Sequence, residues 1–377
     1  MQRALFYAVW VSVAIIQFSP AAEPNQPTRH ILTLRPTPTY GPPNEFNYSF
    51  GNAPAPFEKE PALEGKEIAR GWIPTSPPTP LIRDITAGQI RLKIDHDQDF
   101  TKGSLATYAS QCTDGVHYLF AGVKVFSGQE SLAIPYTIDL WVYRRGFHGR
   151  FFVRSAWAAR FELDGREWIL TILDNLDGRI DGNDRLTLTR VQPTDATRIA
   201  HTSAAPEILF LEGHAFRLEY AYKQIEAAVV LETVLTEVQL PMGPLEIQAD
   251  GCRSVALRDG GQIVVLERLQ GLVTIPAGHY QVDNCSLEAM PDEYQPPQFS
   301  GDDRELSVEP GQTASLRLGL PLNNTLLVTR DRNLLAFKYR LVGAGGEFYS
   351  HPSLASQPAF RIYKGPVRIG SGSFGFG

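Results

Sequence analysis

Apolar and polar residues alternate with period two in many short segments of the chain, and sustained helical periodicity is scarce. Ile90-Arg91-Leu92-Lys93-Ile94 and Leu186-Thr187-Leu188-Thr189 alternate strictly, and Trp168-Ile169-Leu170-Thr171-Ile172-Leu173 is β-branched and apolar. Each reads as a strand, because successive side chains on an extended backbone point to opposite faces. Similar patterns predict strands near residues 116–126, 136–143, 151–153, 216–220, 228–238, 262–266, 271–275, 280–282, 314–318, 325–328, 334–342, 360–363 and 367–369. Turn-forming Gly (32) and Pro (28) punctuate them throughout, which predicts an all-β protein of antiparallel β-sandwich-like domains.

The length of 377 residues allows about two or three domains. The first 22 residues read as a secretory signal: Arg3 supplies positive charge, residues 5–18 form an apolar run, and Ser19-Pro20-Ala21-Ala22 offers a cleavage point. An uncleaved anchor is the alternative, although the run is short for a membrane span. Residues 23–80 are Pro-rich and predict an extended segment, with Trp72 and Ile73 as one anchor point. A β domain follows over 81–190. The polar stretch 191–205 marks a boundary, and a second β-sandwich-like domain covers 206–320. Strands in 321–377 could complete that second domain. A secreted or periplasmic location is expected. No later stretch is long and apolar enough to predict a transmembrane span. The net charge of −6 argues against a broad nucleic-acid surface.

The densest knot of carboxylates is Asp174-Asn175-Leu176-Asp177-Gly178-Arg179-Ile180-Asp181-Gly182-Asn183-Asp184, set between two strand patterns. It predicts an acidic tip on a β-hairpin. The spacing resembles the calcium loop of EF-hand and dockerin-type sites. With Gly178 at the loop's glycine, Asn175, Asp177, Asp181 and Asp184 fall on ligand positions. The first position falls on Leu173, which has no side-chain oxygen, so Asp174 serves only in a shortened loop. The resemblance implies calcium held by Asp174, Asn175, Asp177, Asp181 and Asp184. The competing reading is an Asp-Gly-rich turn, chosen for positive φ and local hydrogen bonds. Asp95, Asp97 and Asp99 form a weaker acidic run, which reads as a solvated loop.

Further on, Val273-Thr274-Ile275-Pro276-Ala277-Gly278-His279-Tyr280-Gln281-Val282 and Val308-Glu309-Pro310-Gly311-Gln312-Thr313 resemble prealbumin-like, carboxypeptidase-regulatory-like sandwich modules of exported bacterial proteins. That resemblance covers a minor part of the chain and implies a binding or spacing module. In an exported chain a Cys252–Cys285 bridge is expected. Cys112, with His117 nearby in sequence, reads as a buried, inert thiol in preference to a nucleophile.

Between residues 141 and 160, Trp141, Tyr143, Phe147, Phe151 and Trp157 interleave with Arg145, Arg150, Arg154 and Arg160. Such a surface could stack sugars, but a core face capped by arginines is the simpler reading. The chain has no G-x-S-x-G, H-E-x-x-H, C-x-x-C or P-loop. The function expected is therefore non-catalytic: a binding protein that meets polysaccharide or a cell-envelope protein. The alternative is a polysaccharide hydrolase with a carboxylate pair near the arginine–aromatic strands.

Overall fold

The computed structural model describes residues 27–38, 44–49, 67–73, 75, 79–86, 89–94, 106–109, 111–112, 117–128, 132–143, 148–191, 199–287, 298–299, 304–332, 334–350 and 359–374. Every regular element assigned among them is a strand, so the all-β expectation from the alternation holds. Among the described residues no helix is long and apolar enough to cross a membrane. The chain divides into two compact units, one built from Arg29–Thr187 and Glu219–Leu235, the other from Leu188–Leu218 and Thr236–Gly377.

In order, the strands are β1 (Arg29–Pro38), β2 (Asn44–Ser49), β3 (Glu67–Ile73), β4 (Thr79–Thr86), β5 (Gln89–Ile94), β6 (Ala106–Ala109), β7 (Gln111–Cys112), β8 (His117–Ser127), β9 (Ile134–Tyr143), β10 (His148–Val153), β11 (Ser155–Leu163), β12 (Arg166–Leu173) and β13 (Arg185–Arg190). They are followed by β14 (Ile199–Ala204), β15 (Ile208–Leu211), β16 (His214–Ile225) and β17 (Ala228–Glu237). In the first unit β2-β10-β9-β8-β7 form one sheet, β3-β4-β5-β6 a second, and β13-β12-β11-β1-β17-β16 lie side by side in a third. The period-two pattern explains the packing. Trp168, Leu170 and Ile172 of β12, and Leu186 and Leu188 of β13, are buried on alternate positions. Val123, Val125, Ile138, Leu140, Phe151 and Val153 do the same in the five-stranded sheet.

The segment expected to be extended and Pro-rich holds β1, β2 and β3. Strand β1 pairs antiparallel with β11, Arg35 opposite Ala158 and Thr37 opposite Ala156, and buries Leu32 and Leu34. Pro36 and Pro38, which cannot donate to a ladder, disguise it in the sequence. Residues 219–235 of the β16–β17 hairpin belong to the first unit.

The second unit continues with β18 (Met242–Asp250), β19 (Cys252–Asp259), β20 (Gln262–Leu266), β21 (Gln270–Pro276), β22 (Gly278–Leu287), β23 (Gln298–Phe299), β24 (Leu306–Val308), β25 (Ala314–Gly319), β26 (Asn323–Asp331), β27 (Leu334–Val342), β28 (Phe348–Ser350), β29 (Ala359–Lys364) and β30 (Val367–Ser373). It is a sandwich. β15-β20-β19-β22-β24 faces β21-β18-β25 across a core that includes Leu245, Ile247, Val255, Leu257, Val264 and Leu318. Two pairings depart from the antiparallel expectation, since β15–β20 and β18–β25 run parallel. Within this core the Cys252 and Cys285 sulfurs lie 2.9 Å apart on neighbouring strands β19 and β22. Gly319 (φ +84°) must be glycine here, because a Cβ would sit 2.9 Å from Cys252 Sγ and closer still to the Asp250 carbonyl.

Candidate functional site

The acidic loop joins β12 to β13 at one end of the first unit, and short acidic side chains fold it. Asn175 Oδ1 accepts the Asp177 N–H (3.0 Å), Asp177 Oδ1 the Arg179 N–H (2.9 Å) and Asp181 Oδ1 the Asn183 N–H (2.8 Å). These are successive Asx-turns, in which a carboxylate or amide oxygen replaces a backbone carbonyl. Asp184 closes the loop: Oδ1 accepts the Asn175 N–H and Oδ2 the Asp181 N–H, each at 2.7 Å. Asp174 anchors it. Its Oδ1 accepts the Leu176 N–H (2.6 Å), and its Oδ2 accepts the hydroxyls of Tyr136 and Tyr222, both at 2.5 Å.

The apex is held by shape as well. Leu176 is fully buried although its φ is +80°, a conformation that disfavours leucine and needs tertiary packing to persist. Gly178 has the same φ, and a Cβ there would lie 3.2 Å from Ser127 Oγ and 3.4 Å from Ile134 Cδ1. The loop therefore rests directly on the β8–β9 connection.

Two of the five expected ligands, Asp174 and Asp184, are brought together in the interior at 1% and 2% exposure. Burial pushes the Asp184 carboxyl up to about 7, with two backbone hydrogen bonds opposing and the Asp174 charge reinforcing the shift. Burial also raises Asp174 above the ordinary carboxylate range, against the pull of its two tyrosines and the Leu176 N–H. Desolvation and the Asp174 charge push the phenols of Tyr136 and Tyr222 far up, so both stay protonated donors. Asn175, Asp177 and Asp181 face their own loop's N–H groups. Among the described residues no group of three or more His, Cys, Asp or Glu side chains is placed to hold a metal ion.

Sequence reasoning did not find the tyrosines. Tyr220 and Tyr222 are two apart on β16 and so share a face; Tyr136 comes from β9. The Trp157 ring meets Tyr222 edge-on at 5.1 Å. Beside this cluster lies a cavity of about 430 Å³, lined by residues that include Leu132, Ile134, Arg179, Ile180, Tyr220 and Tyr222. None of its lining residues is a carboxylate.

The arginine–aromatic strands divide as core and cap. Phe151 and Trp157 are buried, Arg154 donates to Asp139 (2.6 Å), and Arg160 pairs with Glu167 (2.9 Å). Residues 95–99 and 144–147 lie outside the described residues, as does the signal segment. Cys112 lies on β7, opposite Tyr118 in the ladder.

The second unit has its own polar cluster. Glu347 is fully buried; Oε1 accepts the Gly319 N–H (2.6 Å) and the Tyr349 hydroxyl (2.9 Å), and Oε2 the Gly345 N–H (3.0 Å). The Tyr349 hydroxyl also lies 3.5 Å from Cys285 Sγ. Glu347 is a clamp on two glycine turns, with both its oxygens engaged. Set against protein-family models, curated proteins and solved structures, the chain matches none of them.

Proposed function

We propose that this is an exported, non-catalytic β-sandwich protein that acts by binding at the cell envelope or outside the cell. The cavity beside the acidic hairpin is its ligand site, and polysaccharide is the partner class. The observation that carries this reading is the division of labour at the hairpin: a cavity walled by two tyrosines, aliphatic side chains and Arg179, with no carboxylate in its lining and the loop's two buried acids, Asp174 and Asp184, bound to backbone and tyrosine donors. The volume falls within the usual range for small-ligand sites. Tyrosine rings offer a stacking face to a sugar, and Arg179 is a hydrogen-bond donor for its hydroxyls. Hydrolysis of a glycosidic bond would require two carboxyl groups about 5–10 Å apart across the bound sugar. The buried acids of the hairpin, Asp174 and Asp184, are both engaged by backbone N–H groups, and Asp174 by two tyrosines as well.

The test is incubation with a panel of soluble polysaccharides, followed by thermal melting and a reducing-end assay. At least one polymer is expected to raise the melting temperature, with no new reducing ends, and Tyr220→Ala should abolish the rise. Release of reducing ends that tracks the protein would overturn the non-catalytic reading. Hydrogen bonds within the loop hold the hairpin's shape, and calcium is tested against that frame directly. Melting curves in EDTA and in millimolar calcium are expected to coincide. A calcium-dependent rise that is lost in Asp181→Ala would reinstate the ion.

A further inference from the structure

Twelve large apolar side chains are exposed among the described residues, and eight of them lie between Leu326 and Ile369. They concentrate on two hairpins of the second unit. Leu326, Leu327, Val328 and Leu335 crown β26–β27, and Tyr363, Val367 and Ile369 surround the turn of β29–β30, all between 45% and 61% exposed. The two hairpins are fastened together by rings: Phe337 stacks on Phe360 at 4.9 Å, and Tyr339 lies 5.5 Å from Phe374. The ladder places Leu326 opposite Tyr339 and Val328 opposite Phe337, on the face bearing this cluster, and Leu327 opposite Lys338 on the other face. Apolar groups thus project from both faces of one hairpin, an arrangement that gains free energy only when something covers it.

Charge says what covers it. Residues 321–377 hold seven Lys and Arg against two acids, Asp331 and Glu347, a net of +5 that leaves −11 on residues 1–320. Glu347 is buried, so the solvent-facing balance is more positive still. The cations sit among the exposed apolar groups: Arg330 and Arg332 beside the first turn, Lys338 across from Leu327, Lys364 and Arg368 flanking the second. We propose that these two hairpins dock on an anionic lipid bilayer, with the apolar side chains entering the interface and the cations meeting the headgroups. An anionic polysaccharide would satisfy the cations and leave the leucines in water. A second copy would cover the leucines and bring two cationic faces together.

The test is co-sedimentation of the full chain with vesicles of equal parts phosphatidylglycerol and phosphatidylcholine, and with phosphatidylcholine alone. Binding to the anionic vesicles is expected to be at least about tenfold tighter and to weaken as salt rises. Leu327→Asp combined with Ile369→Asp, both at exposed positions, should lose about tenfold in affinity, whereas Leu272→Asp, exposed on β21, should change nothing. These substitutions also separate the hairpins from the apolar run at residues 5–18. Three outcomes would each overturn the proposal: binding unaffected by the paired substitution, no preference for the anionic vesicles, or a dimer that the same substitutions dissolve while vesicles are ignored.

Discussion

Folded under oxidising conditions, the protein will carry a covalent bond between Cys252 and Cys285, and reducing it will cost about 3–4 kcal/mol of stability. The two positions are 33 residues apart, and their sulfurs are already in contact, so closure needs little movement of β19 or β22. Both thiols are buried, and either sulfur can donate in the hydrogen bond between them. The thiolate of one attacks oxidised glutathione, releases one glutathione thiol and forms a mixed disulfide. The other then displaces the second glutathione, so two protein thiols are oxidised and one glutathione disulfide is reduced. Intact mass should fall by two hydrogens, and the urea midpoint should drop on adding reductant. Cys285→Ser should show the lower midpoint and no response to reductant. Identical masses and midpoints in both states would rule the bond out.

That the two cysteines meet was legible from the sequence, because both lie in one expected domain of a chain expected to be exported. The hairpin was legible too, with clean alternation on both sides of an Asp-Gly-rich turn. How the loop uses its acids was not. A calcium loop and a ladder of Asx-turns both demand short oxygen-bearing side chains at alternate positions on a tight bend. They differ only in what the oxygens face. For Asp174 that is decided by Tyr136 and Tyr222, which are 38 and 48 residues away. No local spacing encodes so distant a partner. Strand β1 escaped because its prolines hide its alternation. The parallel pairings of β15 with β20 and β18 with β25 escaped because strand patterns carry no direction.

Removing the Asp174 carboxylate should be the most damaging single change in the first unit, about 3–5 kcal/mol for Asp174→Ala. Two buried tyrosine hydroxyls and the Leu176 N–H would lose their acceptor at once. Tyr136→Phe deletes one of those donors, so its effect should be much smaller in the Asp174→Ala background than in the wild type; additive losses would mean that the hydroxyl and the carboxylate do not interact. Asp184 supplies the pH dependence. Its folded pKa of about 7 lies above the ordinary 3.8, so the folded state keeps a proton that the unfolded chain releases. Stability from this group is complete below about pH 4 and is lost as the pH rises through 7, by an amount of order 4 kcal/mol. Asp174, raised in the same direction, adds to that slope. Urea midpoints should therefore be higher at pH 5 than at pH 8. Asp184→Asn, which keeps one acceptor oxygen but cannot ionise, should flatten the difference while lowering stability at pH 5. An equally steep profile in that variant would move the titration to another group and leave the hairpin's buried acid pair without its predicted charge coupling.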